Sequence, residues 1–437
     1  MNVHKPVFLF FKMSKKLWDL IKSETKRQQQ TIDLIPSENI VDPEILKVLG
    51  TPLVNKYSEG YPGRRYYGGN EFCDQIELMA QEEGLKAFGL NGGLSTELSP
   101  AALKDEVFAN KERWYLNVQA YSGSPANLAI YFALMQPGDT VLGLKLAQGG
   151  HLTHGFNLNF SGTFYKSVQY NLDQKTGKLD YDEIERLAKE HKPKMIYSGA
   201  TAYPRIIDFK RIGDIAKSVG AYHVADVSHI AGLIATGQHP SPFPHSDAVM
   251  ATTHKTMRGP RGAVIYARTP KLAAAINKAI IPGVQGGPHN NQTAAIALMF
   301  ELMQKQNFKK YGAQIVKNAK MLASELNSYG FNLVSGGSEN HLLLADLKNK
   351  NISGMDAEKL LDEAGLICNR NTVPGDDKPF NPSGIRMGTP SSTSRGMKEK
   401  EMKMIGSFIH RLIDLKESPA KIKKEVLALC KKFPLPY

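Results

Sequence analysis

The sequence predicts an α/β protein with a mainly parallel central sheet in a large domain, followed by a smaller α+β unit. Three observations carry this. Short apolar runs alternate with helix-period segments through the middle of the chain. Glycine or proline turns separate several of them. Beyond about residue 290 the alternation gives way to long helices around few strands.

In chain order, Leu17 to Gln30 is an amphipathic helix that packs on the small unit or on a partner subunit. Ser124 to Met135 has helical periodicity, Pro137-Gly138-Asp139 is a turn, and Thr140 to Leu144 is a strand. Lys194 to Tyr197 follows Pro193 as a buried strand, and Asp208 to Val219 is an amphipathic helix ended by Gly220. Ala221 to Val227, Asp247 to Thr253 and Ala263 to Ala267 are further strands. Helices are then predicted at Gln292 to Gln304, Gln314 to Leu326, Asp356 to Ala364 and Met397 to Leu415, with a strand at His341 to Leu347. This divides the chain into a helical arm with its extension (1–50), a large α/β domain (51–290) and a small α+β domain (291–437). In parallel sheets of this kind, ligands bind outside the carboxyl ends of the strands.

Composition narrows the function. The chain has 437 residues, enough for two or three domains, and 42% of them are hydrophobic. Cys73, Cys368 and Cys430 are odd in number, far apart and in no metal-ligand spacing. That argues against a disulfide scaffold or a metal site, and for a reducing compartment. The apolar run Val7 to Phe11 is too short to span a bilayer. It follows His4 and Lys5, but Met13-Ser14-Lys15-Lys16 stands where a cleavage site would be. Residues 1–12 read as a frayed extension, with Met13 an alternative start, and the lack of an Arg/Ser-rich leader points to the cytoplasm. The net charge of +13 is spread along the chain without an aromatic-interleaved basic motif, which argues against nucleic acid. The densest basic cluster, Lys421 to Lys432, is the polar face of a final helix.

Three features carry chemistry. Lys255, in Thr252-Thr253-His254-Lys255-Thr256, follows an apolar strand and precedes Gly259-Pro260-Arg261-Gly262. Its amine is expected at a strand's carboxyl end, where an aldehyde cofactor can form a Schiff base. Taken alone, it fits a surface lysine in a turn equally well. Asp226 ends the run Ala221-Tyr222-His223-Val224-Ala225-Asp226, 29 residues before Lys255. A carboxylate there needs a partner, and a pyridinium nitrogen is one; an ordinary loop or N-cap aspartate is the other reading. His229, three residues on, can reach a ring oxygen. Ser122-Gly123-Ser124 opens a helix, which suits a phosphate or a simple N-cap. Asp226, His229 and Lys255 together, on adjacent strand ends, are hard to explain as unrelated turns, whereas many helices begin like Ser122-Gly123-Ser124.

Longer segments carry a resemblance. Leu34 to Asn39 (LIPSEN), Asn55 to Gly69 (NKYSEGYPGRRYYGG), Gly149 to Gly155 (GGHLTHG), Asp226 to Gly232 (DVSHIAG), Thr252 to Thr256 (TTHKT), Gln285 to Pro288 (QGGP) and Gly384 to Pro390 (GIRMGTP) resemble the serine hydroxymethyltransferases, in the family's order. The tyrosine-rich block from Tyr57 to Gly69 is the most specific of them.

The resemblance implies the fold type I architecture of pyridoxal-phosphate (PLP) transferases, with PLP as cofactor and tetrahydrofolate as co-substrate. It implies reversible interconversion of serine and glycine. Lys255 then holds PLP, Asp226 pairs with the ring nitrogen, His229 meets the ring hydroxyl and His151 stacks on the ring. Ser122, Gly123 and Ser124 hold the phosphate with His254 nearby, and Gly287 and Tyr57 from another subunit complete the cradle. Thr201 and Thr252 also line the site. Arg386 clamps the amino-acid carboxylate with Ser37, as a planar guanidinium can by two parallel hydrogen bonds. Glu59 moves protons, and Tyr67 from the neighbouring subunit positions substrate. Leu146, Gly150, Leu152, Asn371 and Phe380 meet the folate. Such sharing requires at least a homodimer; dimer and tetramer stay open.

The chain also departs from the family. Residues 90–116 are longer than usual there, and Leu98 to Phe108 is expected to add a helix, on the surface or against an interface. Ala120 stands where many members have proline, and Gln148 where an acidic residue or histidine is common. Two other functions compete. A threonine-type aldolase would use Lys255, Asp226 and Arg386 without needing Glu59 or the folate loop. A basic binding protein on a dead scaffold would have no use for an intact catalytic set.

Overall fold

The computed structural model describes residues 14–376 and 382–437. The extension at 1–13 and Phe380 lie outside the described residues. The predicted alternation forms an eight-stranded sheet. Its strands are β1 (Gly92–Gly93), β2 (Trp114–Asn117), β3 (Thr140–Leu144), β4 (Lys166–Tyr170), β5 (Met195–Ser198), β6 (Tyr222–Asp226), β7 (Ala248–Thr252) and β8 (Ala263–Ala267). Their spatial order is β1-β2-β8-β7-β6-β5-β3-β4, and β8 alone runs against the others.

Residues alternate between the two faces, as the strand period of two requires. Ile196, Ala225, Val249 and Ala251 enter one buried cluster, and Met195, Tyr197, Val224 and Met250 the other. Both faces are covered by helices, so the strands are apolar throughout. In register, Asp226 lies opposite Met250, two residues short of the end of β7 at Thr252. Asp226, Ser198 and Thr252 thus close three adjacent strands at one edge of the sheet.

A second, antiparallel sheet joins β9 (Asn332–Leu333), β10 (Leu342–Asp346), β11 (Asn369–Asn371) and β12 (Gly384–Gly388) in the order β9-β10-β12-β11. Leu343, Ala345, Ile385 and Met387 pack there against Ile405 and Ile409 of a helix at Glu399–Ile413. Ile32 and Leu34 join the same cluster, because Ile32–Asp33 pairs in parallel with Leu366–Ile367. One helix, α1 (Gln306–Ser328), serves both cores: Ile315 and Val316 enter the large one, Leu322 and Leu326 the small one. The helix before it, Asn290–Met303, places Ile296, Met299 and Phe300 in the large core.

The extra helix expected at Leu98 to Phe108 does not form. The segment holds a single-turn 3₁₀ stretch at Ala102–Lys104 and a single α-turn at Glu106–Ala109. Local side chains compete with helix propagation. Ser99 Oγ accepts from Ala102 N at 3.1 Å, and Asp105, in extended conformation, accepts from Val107 N at 2.9 Å. Each ends one turn and starts another. The ends of the long segment are structural, since it supplies β1 and β2, with Tyr115 and Leu116 buried.

Candidate active site

The turn after β7 is held so firmly that Lys255 has little freedom. Thr253 N donates to Gly262 O at 3.0 Å, and its hydroxyl donates to Pro260 O at 2.5 Å. The Thr256 hydroxyl donates to His229 O at 3.0 Å and accepts from Gly232 N at 3.0 Å. Gly232 has to be glycine, because a Cβ there would meet Thr256 O at 2.3 Å. From the N-terminal segment, Asn39 Nδ2 donates to the Lys255 carbonyl at 2.7 Å. The Lys255 side chain is buried, and burial lowers its amine to about 8, with Asp226 opposing and Arg386 and Arg261 assisting.

Asp226 faces it as a prepared anion. His154 Nε2 lies 3.1 Å and Asn127 Nδ2 3.0 Å from its Oδ2, and Ser228 N donates to Oδ1 at 3.0 Å. Burial works against its charge, yet the His154 hydrogen bond and the surrounding positive groups hold the carboxyl below its usual range. Neither His154 nor Asn127 was singled out in the sequence. His154 was visible as the second histidine of Gly149 to Gly155; Asn127 lies one turn into the helix that Ser122-Gly123-Ser124 opens, where only the start pointed to a ligand. His151 is lowered to about 4 by burial and by His154.

Gly123, His151, Thr201, Asp226, His229, Thr252 and Lys255 line one cavity. Ser122 precedes the helix Gly123–Leu134 without making a capping bond, which leaves its hydroxyl and the first amides free of that duty. Ser124 lies in the first turn of the same helix. A Cβ on Gly123 would meet Thr252 Cγ2 at 2.8 Å, so the backbone is open to close approach. Among the described residues, Thr252 Oγ1 and His254 Nδ1 are buried without a hydrogen-bond partner. An amine, a fixed carboxylate, imidazoles and unclaimed donors at a helix start fit a phosphorylated pyridine aldehyde. His151, His154 and Asp226 also have ligand atoms within 4.8 Å of one another, but that cluster belongs to this cavity.

Arg386 reaches the same place from β12. Its Nη1 donates to Thr201 O at 2.6 Å and its Nε to Asn369 Oδ1 at 3.0 Å. Burial lowers it to about 10, so it stays charged at neutral pH. Beside it opens a cleft of about 1010 Å³ lined by Leu146, Gly149, Phe156, Leu158, Thr201 and Asn371 among others. The Thr201 hydroxyl donates to Gly150 O at 3.0 Å, and a Cβ on Gly150 would meet Leu144 O at 2.0 Å. Leu152 is 44% exposed on the following turn. Ser37, His254 and Arg261 line a neighbouring cavity of about 310 Å³.

Four predicted residues gather elsewhere. The Tyr57 hydroxyl donates to Glu59 Oε1 at 3.2 Å, Tyr57 and Tyr67 meet edge to face at 5.1 Å, and a Cβ on Gly287 would lie 3.1 Å from the Tyr57 ring. None of Tyr57, Glu59, Tyr67 and Gly287 is among the residues lining the Lys255 cavity. Arg65 fixes this loop: its Nη1 donates to the carbonyls of Ser58 (2.9 Å) and Gly60 (2.7 Å), on either side of Glu59. Its buried pair with Glu77, at 2.7 Å, anchors it to the helix Glu71–Ala87. Losing one partner of such a pair costs about 3–5 kcal/mol.

The lowered amine has a measurable consequence. Only neutral lysine attacks an aldehyde. Capture of PLP by the apoprotein should therefore quicken about tenfold per pH unit below 8 and level off above it, in stopped-flow absorbance from pH 6 to 9.5. A rise that continues unbroken to pH 9.5 would mean an ordinary lysine.

Comparison with known proteins agrees with this geometry. The family model described as Serine hydroxymethyltransferase matches residues 11–409. A serine hydroxymethyltransferase of Acidothermus cellulolyticus is 48% identical over 429 residues, covering 96% of this chain and 95% of that protein. The lysine, its carboxylate and the buried arginine thus stand in a framework shared over nearly the whole length, and the chain belongs to the serine hydroxymethyltransferase family.

Proposed function

We propose that the protein interconverts L-serine and tetrahydrofolate with glycine and 5,10-methylenetetrahydrofolate at the Lys255 cavity. The observation that carries the reading is the meeting of Lys255, Asp226 and Arg386 beside a cleft large enough for a pterin. When bound, PLP supplies an aldehyde for the substrate's amino group and a protonated ring that accepts electron density from a breaking bond at the α-carbon.

The chain's residues then take these parts. Lys255 Nζ would hold the aldehyde and release it to the amino acid. Asp226, kept ionised by His154 and Asn127, would keep the ring nitrogen protonated. His151 would stack on the ring, and His229 would meet its hydroxyl. Ser122, Gly123 and Ser124 would take the phosphate with His254 close by, and Thr201 and Thr252 would line the cofactor site. Arg386, with Ser37, binds the carboxylate and so orients the side chain to be cleaved. Leu146, Gly150, Leu152 and Asn371, with Phe380, hold the pterin and its tail.

Glu59 and Tyr67 act from a second copy of the chain, and the partner subunit's Tyr57 and Gly287 complete the phosphate cradle. Support comes from the exposure of Tyr57 (53%) and Tyr67 (47%) on a loop held rigid by Arg65, neither of them lining this chain's own Lys255 cavity. Among the described residues, no helix is long and apolar enough to cross a membrane. Three buried, unpaired cysteines suit the cytoplasm.

The deciding experiment follows glycine release from serine with and without tetrahydrofolate. One glycine per one-carbon unit transferred is expected, and omitting folate should slow release by about 10²-fold or more, the scale of a lost acid–base partner. A threonine-type aldolase would cleave its β-hydroxy amino acid at full rate without folate.

A further inference from the structure

His341 was assigned no role by the sequence, yet it contacts His229, which lines the Lys255 cavity. It precedes β10, and its carbonyl accepts from Thr389 N at 3.0 Å, which ties it to the strand carrying Arg386. Its side chain is buried, and its Nε2 lies 3.1 Å from Nδ1 of His229, with the rings 5.3 Å apart. We infer that His341 is a positioning residue that sets the tautomer of His229, so that His229 presents an N–H rather than a bare nitrogen to the cavity. This inference rests on the PLP reading of the site only for what the N–H would meet.

The argument is one of counting protons. Burial, with Arg386 and Lys255 nearby, lowers His341 to about 3, and burial with Lys255 lowers His229 well below its usual value. Both rings are therefore neutral near pH 7, and each carries one N–H and one bare nitrogen. Their contact holds a single proton. If His229 donated it, the proton of His341 would sit on Nδ1. That nitrogen is buried and has no hydrogen-bond partner. A buried N–H without an acceptor is among the rarest features of folded proteins, whereas an under-used acceptor is better tolerated. The proton therefore belongs to His341 Nε2, which donates to His229 Nδ1. The remaining proton of His229 is then on Nε2. His229 lines the cavity with Asp226 and Lys255, and there a donor suits an anionic ring oxygen. Because His341 lies next to the strand of Arg386, the same contact ties the cofactor pocket to the substrate clamp.

Nitrogen NMR of the full-length apoprotein, labelled at histidine, tests this directly, with His229→Gln identifying the peaks. In the wild type, Nε2 of His229 should carry the proton and Nδ1 should show the shift of a hydrogen-bonded acceptor. His341→Leu should mix the two tautomers, and His341→Gln, whose amide can still donate, should restore the wild-type pattern. On PLP titration followed by absorbance, His341→Leu should weaken binding about tenfold and shift the visible maximum, with His341→Gln between the two. A proton on Nδ1 of His229 in the wild type, or an unchanged pattern in both variants, overturns the inference. If His341→Leu does not fold, His341→Gln and the wild-type spectrum still decide. A wild type with the expected tautomer that binds no PLP would overturn the reading of the site and leave this inference standing.

Discussion

Replacing Lys255 by alanine should reduce serine–glycine interconversion by at least ~10³-fold, because it removes the group proposed both to hold the aldehyde and to assist its exchange. The same loss is expected in Lys255→Arg. A guanidinium keeps the charge beside Asp226 but cannot become a neutral nucleophile. If Lys255 served only as a counter-ion, Lys255→Arg would stay active. Borohydride reduction followed by mass measurement gives a readout apart from turnover. The wild type should retain one pyridoxyl group per chain, and neither variant should. The fold should survive the change. Asp226 keeps its bonds from His154, Asn127 and Ser228, and the turn is held by backbone and threonine contacts rather than by the lysine amine. A collapse of the melting temperature in Lys255→Ala would contradict that account.

The parts of this molecule legible in the sequence are those governed by period and by turn chemistry. Thr140–Leu144 and Ala263–Ala267 were read to the residue, because each is a short apolar run between turns. The helix Phe209–Ser218 was legible from its stripe and from Asp208, whose side chain caps Arg211 N at 3.0 Å. Lys166–Tyr170 was not legible: it is the sheet's edge strand, half exposed, and its sequence KSVQY has no apolar run. Leu98 to Phe108 failed because two local caps outcompeted a helical pattern. At the site, a lysine after a strand and an aspartate ending the next could be read singly. Their environment could not. The bonds from Asn127 and His154 to Asp226, and from Asn39 to the Lys255 carbonyl, join residues 99, 72 and 216 positions apart, and only the fold brings them together. Arg65 is visible within the tyrosine-rich block, but its grip on both sides of Glu59 depends on Glu77 arriving from the following helix.

Mixing two inactive chains should restore activity, and the amount is set by symmetry. Lys255→Ala lacks the amine, and Glu59→Gln lacks the carboxyl proposed to move protons; each variant alone should be inactive or nearly so. Glu59 lies beside Tyr57 and Gly286, and it is not among the residues lining this chain's Lys255 cavity. If the two clusters meet across a two-fold axis, a mixed dimer has one site with both lesions and one with neither. Random reassociation of equal amounts makes half of the dimers mixed, so about a quarter of wild-type activity should return. If instead the loop folded back onto its own chain's cavity, every site in the mixture would carry one lesion and nothing would return. Refolding the two variants together and assaying serine-dependent folate loading distinguishes these outcomes. The expected recovery is a jump from near zero to about one quarter, too large to confuse with residual activity of either parent. Arg65→Ala in the Lys255→Ala chain should reduce the recovery, because the functional site then draws Glu59 from the chain whose loop has lost its anchor. The same Arg65→Ala change placed in the Glu59→Gln chain should leave the recovery unaltered, since that chain supplies only the lysine.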